Sequence, residues 1–132
     1  MKRFEISLII ESPDLSLLEI SRLLKSEAAK CSHSKDDPRP LRGKWTLSIW
    51  KSKIECANEL NFDAALMRFL KKPMIAMLKR KRKEFGRSSP YVDIAIFHDN
   101  AMCSLEISEE AIAGLAKAKL PLSCSCYPVD NA

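Results

Sequence analysis

The chain has 132 residues, 46% of them apolar and 30% charged, with a formal net charge of +5. That balance argues against a disordered tract or a bundle of membrane spans, and the length suits one domain burying roughly two-thirds of its unfolded surface. With three glycines, seven prolines and no internal repeat there is no low-complexity linker, so a single domain over 1–132 is expected.

Lys2 and Arg3 precede an apolar stretch, but Glu5 and Glu11 bracket it and no small-residue cleavage site follows. The segment therefore reads as structure rather than as a signal peptide. No apolar run approaches the length of a bilayer span, so a soluble cytoplasmic protein with no membrane partner is expected. Phe4, Ile6, Leu8 and Ile10 alternate with polar residues as a half-buried strand does. Ser12-Pro13-Asp14 turns the chain, and Ser16 with Glu19 predicts a capping box. The helix it starts carries Leu17, Ile20, Leu23 and Leu24 at helical spacing and fades near Ala29.

Residues 31–43 form an irregular stretch whose prolines fix their own φ and turn their neighbours away from helix. A second strand follows, with Trp45, Leu47 and Ile49 expected to face the core and Trp50 the other side. Asn61 or a neighbour is expected to cap a helix bearing Phe62, Leu66, Phe69 and Leu70. Pro73 is costly inside a helix and harmless at its first turn, so the region is read as two helices, the second ending at Gly86.

Tyr91 to Phe97 predicts a strand with Val92, Ile94 and Ile96 inward. His98-Asp99-Asn100 turns it toward a hairpin partner over Met102 to Ile107. Ser108 caps a last helix, with Ile107 and Ile112 at the positions of a hydrophobic staple. Leu122, Cys124 and Cys126 alternate in a final strand and read as small apolar core residues. The five cysteines, odd in number and without a Cys-x-x-Cys, argue against a disulfide framework.

The order is β-α-β-α-α-β-β-α-β. It predicts an α+β fold with about five strands in a mixed sheet, helices mainly on one face, and a ferredoxin-like second half.

Three stretches carry a resemblance. They are the opening strand and helix, the Asp37-Pro38-Arg39 to Gly43-Lys44 loop leading into Trp50, and a tail. The tail runs Leu105, Ile107-Ser108-Glu109-Glu110, Leu115-Ala116, Leu120, Leu122 and Tyr127. In order and spacing, from Phe4 to about Tyr127, the chain resembles a small bacterial family classed only as a domain of unknown function. The resemblance implies a cytosolic bacterial α+β domain and supplies no catalytic residues. By analogy with other such families, an immunity-type role against a toxin is one expectation.

Eight basic residues crowd the stretch from Lys71 to Arg87, against Glu84 alone, so the run exceeds the charge of the whole chain. Within it Lys79, Arg80, Lys81, Arg82, Lys83 and Arg87 are candidates for phosphate contact. Consecutive cations wrap more than a helical turn, however, and no aromatic interleaves them as a stacking platform. Cys31-x-His33 and His98 with Cys103 lack the paired spacing of structural zinc ligands, so no metal is expected. Scarce glycine excludes phosphate-cradling loops, and no nucleophile elbow or dinucleotide fingerprint occurs, so no cofactor or catalytic residue is expected. The favoured expectation is a non-enzymatic module meeting a protein partner or a second copy of itself. Trp50, Asp36, Asp37, Arg39 and Arg42 are its candidate contacts, and nucleic-acid binding by the basic run is the alternative.

Overall fold

The computed structural model describes residues 2–35, 37–39, 43–44, 46–99 and 103–129, with backbone alone at 38–39 and 43–44. Its longest elements begin where the alternating runs begin. β1 (Arg3–Ser12) and β6 (Ser89–His98) bury their even-numbered residues from Phe4 to Ser12 and from Val92 to His98. Between and after them come α1 (Leu17–Leu24), the two-residue strands β2 (Pro38–Arg39) and β3 (Gly43–Lys44), β4 (Ser48–Lys51), β5 (Glu55–Asn58), α2 (Phe62–Leu70), α3 (Pro73–Arg80), a 3-10 turn (Arg82–Phe85), α4 (Glu109–Ala118) and β7 (Leu122–Pro128). The main sheet is five-stranded in the order β4-β1-β6-β7, with β5 also on β1. It is mixed: β4 and β5 run antiparallel to β1, whereas β7 runs parallel to β6. The fold is α+β, as its alternating strands and amphipathic helices predict.

Three expectations about the sheet are corrected. Residues 103–108 form no strand (Met102 lies outside the described residues), so β6 has no hairpin partner there and pairs with β7 instead. The fifth strand is β5, and the second half therefore departs from the ferredoxin-like order. Trp50 faces the core rather than the open side. Register decides this: Trp50 stands opposite Ile10 and Ser48 opposite Ser12, and directly opposed residues share a sheet face.

The join between β4 and β5 hides β5 from the alternation of the sequence. Lys51 pairs with Ile9 and Glu55 with Ile6, so the three residues between β4 and β5 span only two of β1. That extra residue is a bulge, which inverts the alternation a sequence reader follows. Ser52 closes the gap: its N–H donates to the Leu8 carbonyl at 2.9 Å, and its buried Oγ accepts the Leu8 N–H at 2.8 Å. Ser52→Ala leaves that N–H without its acceptor and is expected to cost about 1–3 kcal/mol, read as a lower urea midpoint.

Inter-residue contacts group the chain into two units. The first comprises Met1–Ser7, Ile54–Lys71 and Val92–Ala132. Here the Phe4 and Phe62 rings meet at 4.4 Å, and α2 buries Ala65, Leu66 and Phe69. α4 packs on α2 through Ala111, Leu115 and Ala118. Gly114 permits close approach, because a Cβ there would stand 3.1 Å from Leu70 Cδ1. Asn61 sits at the N-cap of α2 without capping it: its Oδ1 accepts the Asn58 N–H, closing a local turn instead. Ser108 does cap α4, accepting the Ala111 N–H at 3.1 Å, although Ile112 of the expected staple stays exposed.

The second unit comprises Leu8–Lys53 and Lys72–Tyr91. Ser16 and Glu19 form the expected capping box on α1, which buries Ile20 and Leu24. The helix stops at Leu24, earlier than expected, because Lys25 takes the left-handed conformation that closes a helix (φ 52°). Pro73 occupies the first turn of α3, as its missing N–H predicts. α3 packs on α1 and ends at Arg80, so the expected helix to Phe85 tightens into the 3-10 turn before Gly86 adopts φ 55°.

Candidate functional site

Of the residues singled out as a binding surface, Trp50 and Asp37 are those with described side chains, and Trp50 does not lie on the surface. Trp50 is fully buried, and its indole Nε1–H donates to Ser21 Oγ at 3.0 Å. It is a core residue of the second unit, and its role as an exposed anchor is withdrawn. Asp36 and Arg42 lie outside the described residues, as does the side chain of Arg39. Asp37 folds its own loop: its Oδ2 accepts the Ser34 N–H at 2.8 Å.

The basic run is dispersed. Lys79, Arg80 and Lys83 are exposed on α3 and the 3-10 turn, whereas Lys81 and Arg82 are half-buried. Arg80 Nη1 approaches Met77 Sδ at 3.9 Å. Lys81 and Arg22 line an open cavity of about 530 Å³ opposite Glu19 and Glu84, so its lining charges balance. Arg87 is committed to Asp14 by two parallel bonds, Nε to Oδ2 at 3.1 Å and Nη2 to Oδ1 at 2.6 Å. That fork holds the Asp14 carboxyl below its ordinary 3.8 and raises the Arg87 guanidinium further above its already high ordinary value.

Because the folded chain depresses Asp14, the contribution of the pair is complete above the ordinary carboxylate range. It fades as pH falls through the lowered folded value. The urea midpoint of the wild type is expected to drop on acidification from about pH 5 more steeply than that of Asp14→Asn. Added salt is expected to shrink the difference, since both side chains meet solvent.

A different constellation stands on the first unit. Helices and core take the even-numbered face of β1 and β6, and the other face carries Arg3, Glu5, Asp93 and Phe97. The Arg3 guanidinium lies 4.4 Å from the centroid of the Phe97 ring. Phe97 stacks on Tyr127, its register partner in β7, at 5.3 Å and 22°. Tyr127 is 48% exposed, and Val129 beyond it is exposed as well.

β7 itself ends the sheet among the described residues. It carries no charge, and prolines stand only at its ends, Pro121 just before the strand and Pro128 as its last residue. The stretch from Leu122 to Tyr127 therefore lacks the devices that normally protect an edge from pairing. Cys124 and Cys126 project toward the core face but stay exposed, which corrects their expected place in the core. An edge strand has neighbours on one side only, so alternation here does not produce burial. The signal for this site was present in the outward phase of Phe97, but no local rule tied it to Tyr127 across 30 residues of chain.

Among the described residues no three His, Cys, Asp or Glu side chains gather to hold a metal, and no helix is long and apolar enough to cross a membrane. No protein-family model, curated protein or solved structure matches the chain.

Proposed function

We propose that the chain is a non-enzymatic protein-binding module that receives an extended segment of its partner along β7, beside the Arg3–Phe97–Tyr127 stack. The observation that carries this reading is the uncharged, proline-free stretch from Leu122 to Tyr127 at the edge of the sheet among the described residues. Its outer N–H and C=O groups offer a ladder to an added strand, and flanking side chains supply selectivity. Tyrosine, phenylalanine and arginine are the residue types that concentrate energy at protein interfaces. Glu5 and Asp93 share this face with Arg3, a mixture that suits a polypeptide better than a phosphate backbone. An immunity-type role, in which the partner is a toxin, is the specific form of this reading.

Affinity capture from native lysate tests it with four baits: wild type, Phe97→Ala, Tyr127→Ala, and a variant with residues 79–83 changed to glutamine. The expected result is one protein held by the wild type and by the glutamine variant. Each aromatic substitution weakens its binding by about tenfold or more. Tyr127→Ala should keep the wild-type melting temperature, because the side chain is exposed. Capture that follows the basic residues, or that disappears on nuclease treatment, would overturn the reading.

A further inference from the structure

Cys103 and Cys126 come together in the first unit from chain segments of different kinds. Cys126 is fixed by the parallel ladder, where it stands opposite Ile96. Cys103 precedes α4 in the irregular segment, whose position Lys2 holds: its Nζ donates to the Ser104 carbonyl at 2.9 Å and to Ser104 Oγ at 3.2 Å. The Cys126 and Cys103 thiols share a hydrogen bond, sulfur to sulfur, of only 2.9 Å. Neither cysteine is buried, so a small reagent reaches both.

We propose that Cys103 and Cys126 are a redox modification site, closing to an intrachain disulfide by exchange with a small disulfide such as glutathione disulfide. The proposal is independent of the interface assigned above. Cys126, the more exposed of the two, attacks first as its thiolate. It forms a mixed disulfide and expels one glutathione thiolate. Cys103 then loses its proton and attacks Cys126 Sγ, forming the protein disulfide and expelling the second glutathione thiolate. The two cysteine sulfurs are oxidised by two electrons in all, glutathione disulfide is reduced, and the two cysteine protons end on the two glutathione thiols.

The order of attack follows from the surroundings. The hydrogen bond with Cys126, with burial second, keeps the Cys103 thiol protonated above its ordinary 9.0. Burial likewise raises Cys124, two residues along the same strand, which makes it the poorer competitor. Cys31 and Cys56 are exposed, and no contact with another thiol is found for either among the described residues.

Titration of the folded, reduced protein with glutathione redox buffers decides the matter, with thiol counting and peptide mass spectrometry as readouts. The wild type is expected to fall from five free thiols to three, with the Cys103 and Cys126 peptides joined. Cys124→Ser should form the same bridge, whereas Cys103→Ser and Cys126→Ser should form none. Bridge formation by the chain in denaturing urea should need a buffer about tenfold or more oxidising, because folding supplies the alignment. The oxidised wild type should melt several degrees higher than the reduced form. A bridge joining Cys124 to Cys126, disulfides only between chains, or equal oxidation of the folded and unfolded chain would overturn the proposal.

Discussion

Replacing Trp50 with alanine is expected to lower the unfolding free energy by about 3–5 kcal/mol, measured by urea denaturation followed by far-ultraviolet circular dichroism. The side chain is 0% exposed and sits opposite Ile10 on the buried face of β4. Its removal leaves a cavity that the surrounding side chains fill only in part. The lost bond from the indole N–H to Ser21 adds to this. Domains of this kind have about 5–15 kcal/mol in total, so the variant stands near the threshold of folding. Trp50→Phe should lose about 1–3 kcal/mol, because the ring still fills most of the site. A loss under about 1 kcal/mol for the alanine variant would show that Trp50 is not the core residue described.

Phe69→Ala is expected to cost about 3–5 kcal/mol by the same measurement. Phe69 is fully buried on α2, the helix that also packs on α4 and β5. Leu60 is the natural control: it is 90% exposed just before α2, and Leu60→Ala should stay within about 0.5 kcal/mol of wild type. Both residues are large and apolar and stand nine positions apart. Only burial separates their outcomes.

These two tests also mark how far the sequence could be read. Phe69 belongs to a stripe with Phe62 and Leu66 whose spacing is that of one helix face, so its burial follows from 3.6 residues per turn. Ser16 with Glu19 and Pro73 were equally legible, because a cap and a first-turn proline are satisfied within a few residues of chain. Trp50 was not. Alternation puts Trp45, Leu47 and Ile49 inside and Trp50 outside, and with apolar residues in both phases nothing local reverses that choice. The antiparallel pairing with β1, some 40 residues away, makes the choice.

The site follows the same division. The basic run is conspicuous in one dimension but spreads over a helix and a tighter turn, with Arg87 bound to Asp14. Phe97 and Tyr127 attract no notice singly and become a stacked pair only because β6 and β7 lie side by side in parallel. Cys103 and Cys126 have no informative spacing and meet for the same kind of reason.

By itself, the sequence determined the α+β class, the faces of β1 and β6, the break between α2 and α3, and most helix starts. Each of these is set by interactions within one or two turns of chain. The tertiary structure alone decided that β5 replaces the expected strand after β6, that Trp50 is inside and that Tyr127 meets Phe97. Strand pairing joins residues far apart in sequence, and its register is fixed only when the whole sheet has found which of its faces to bury.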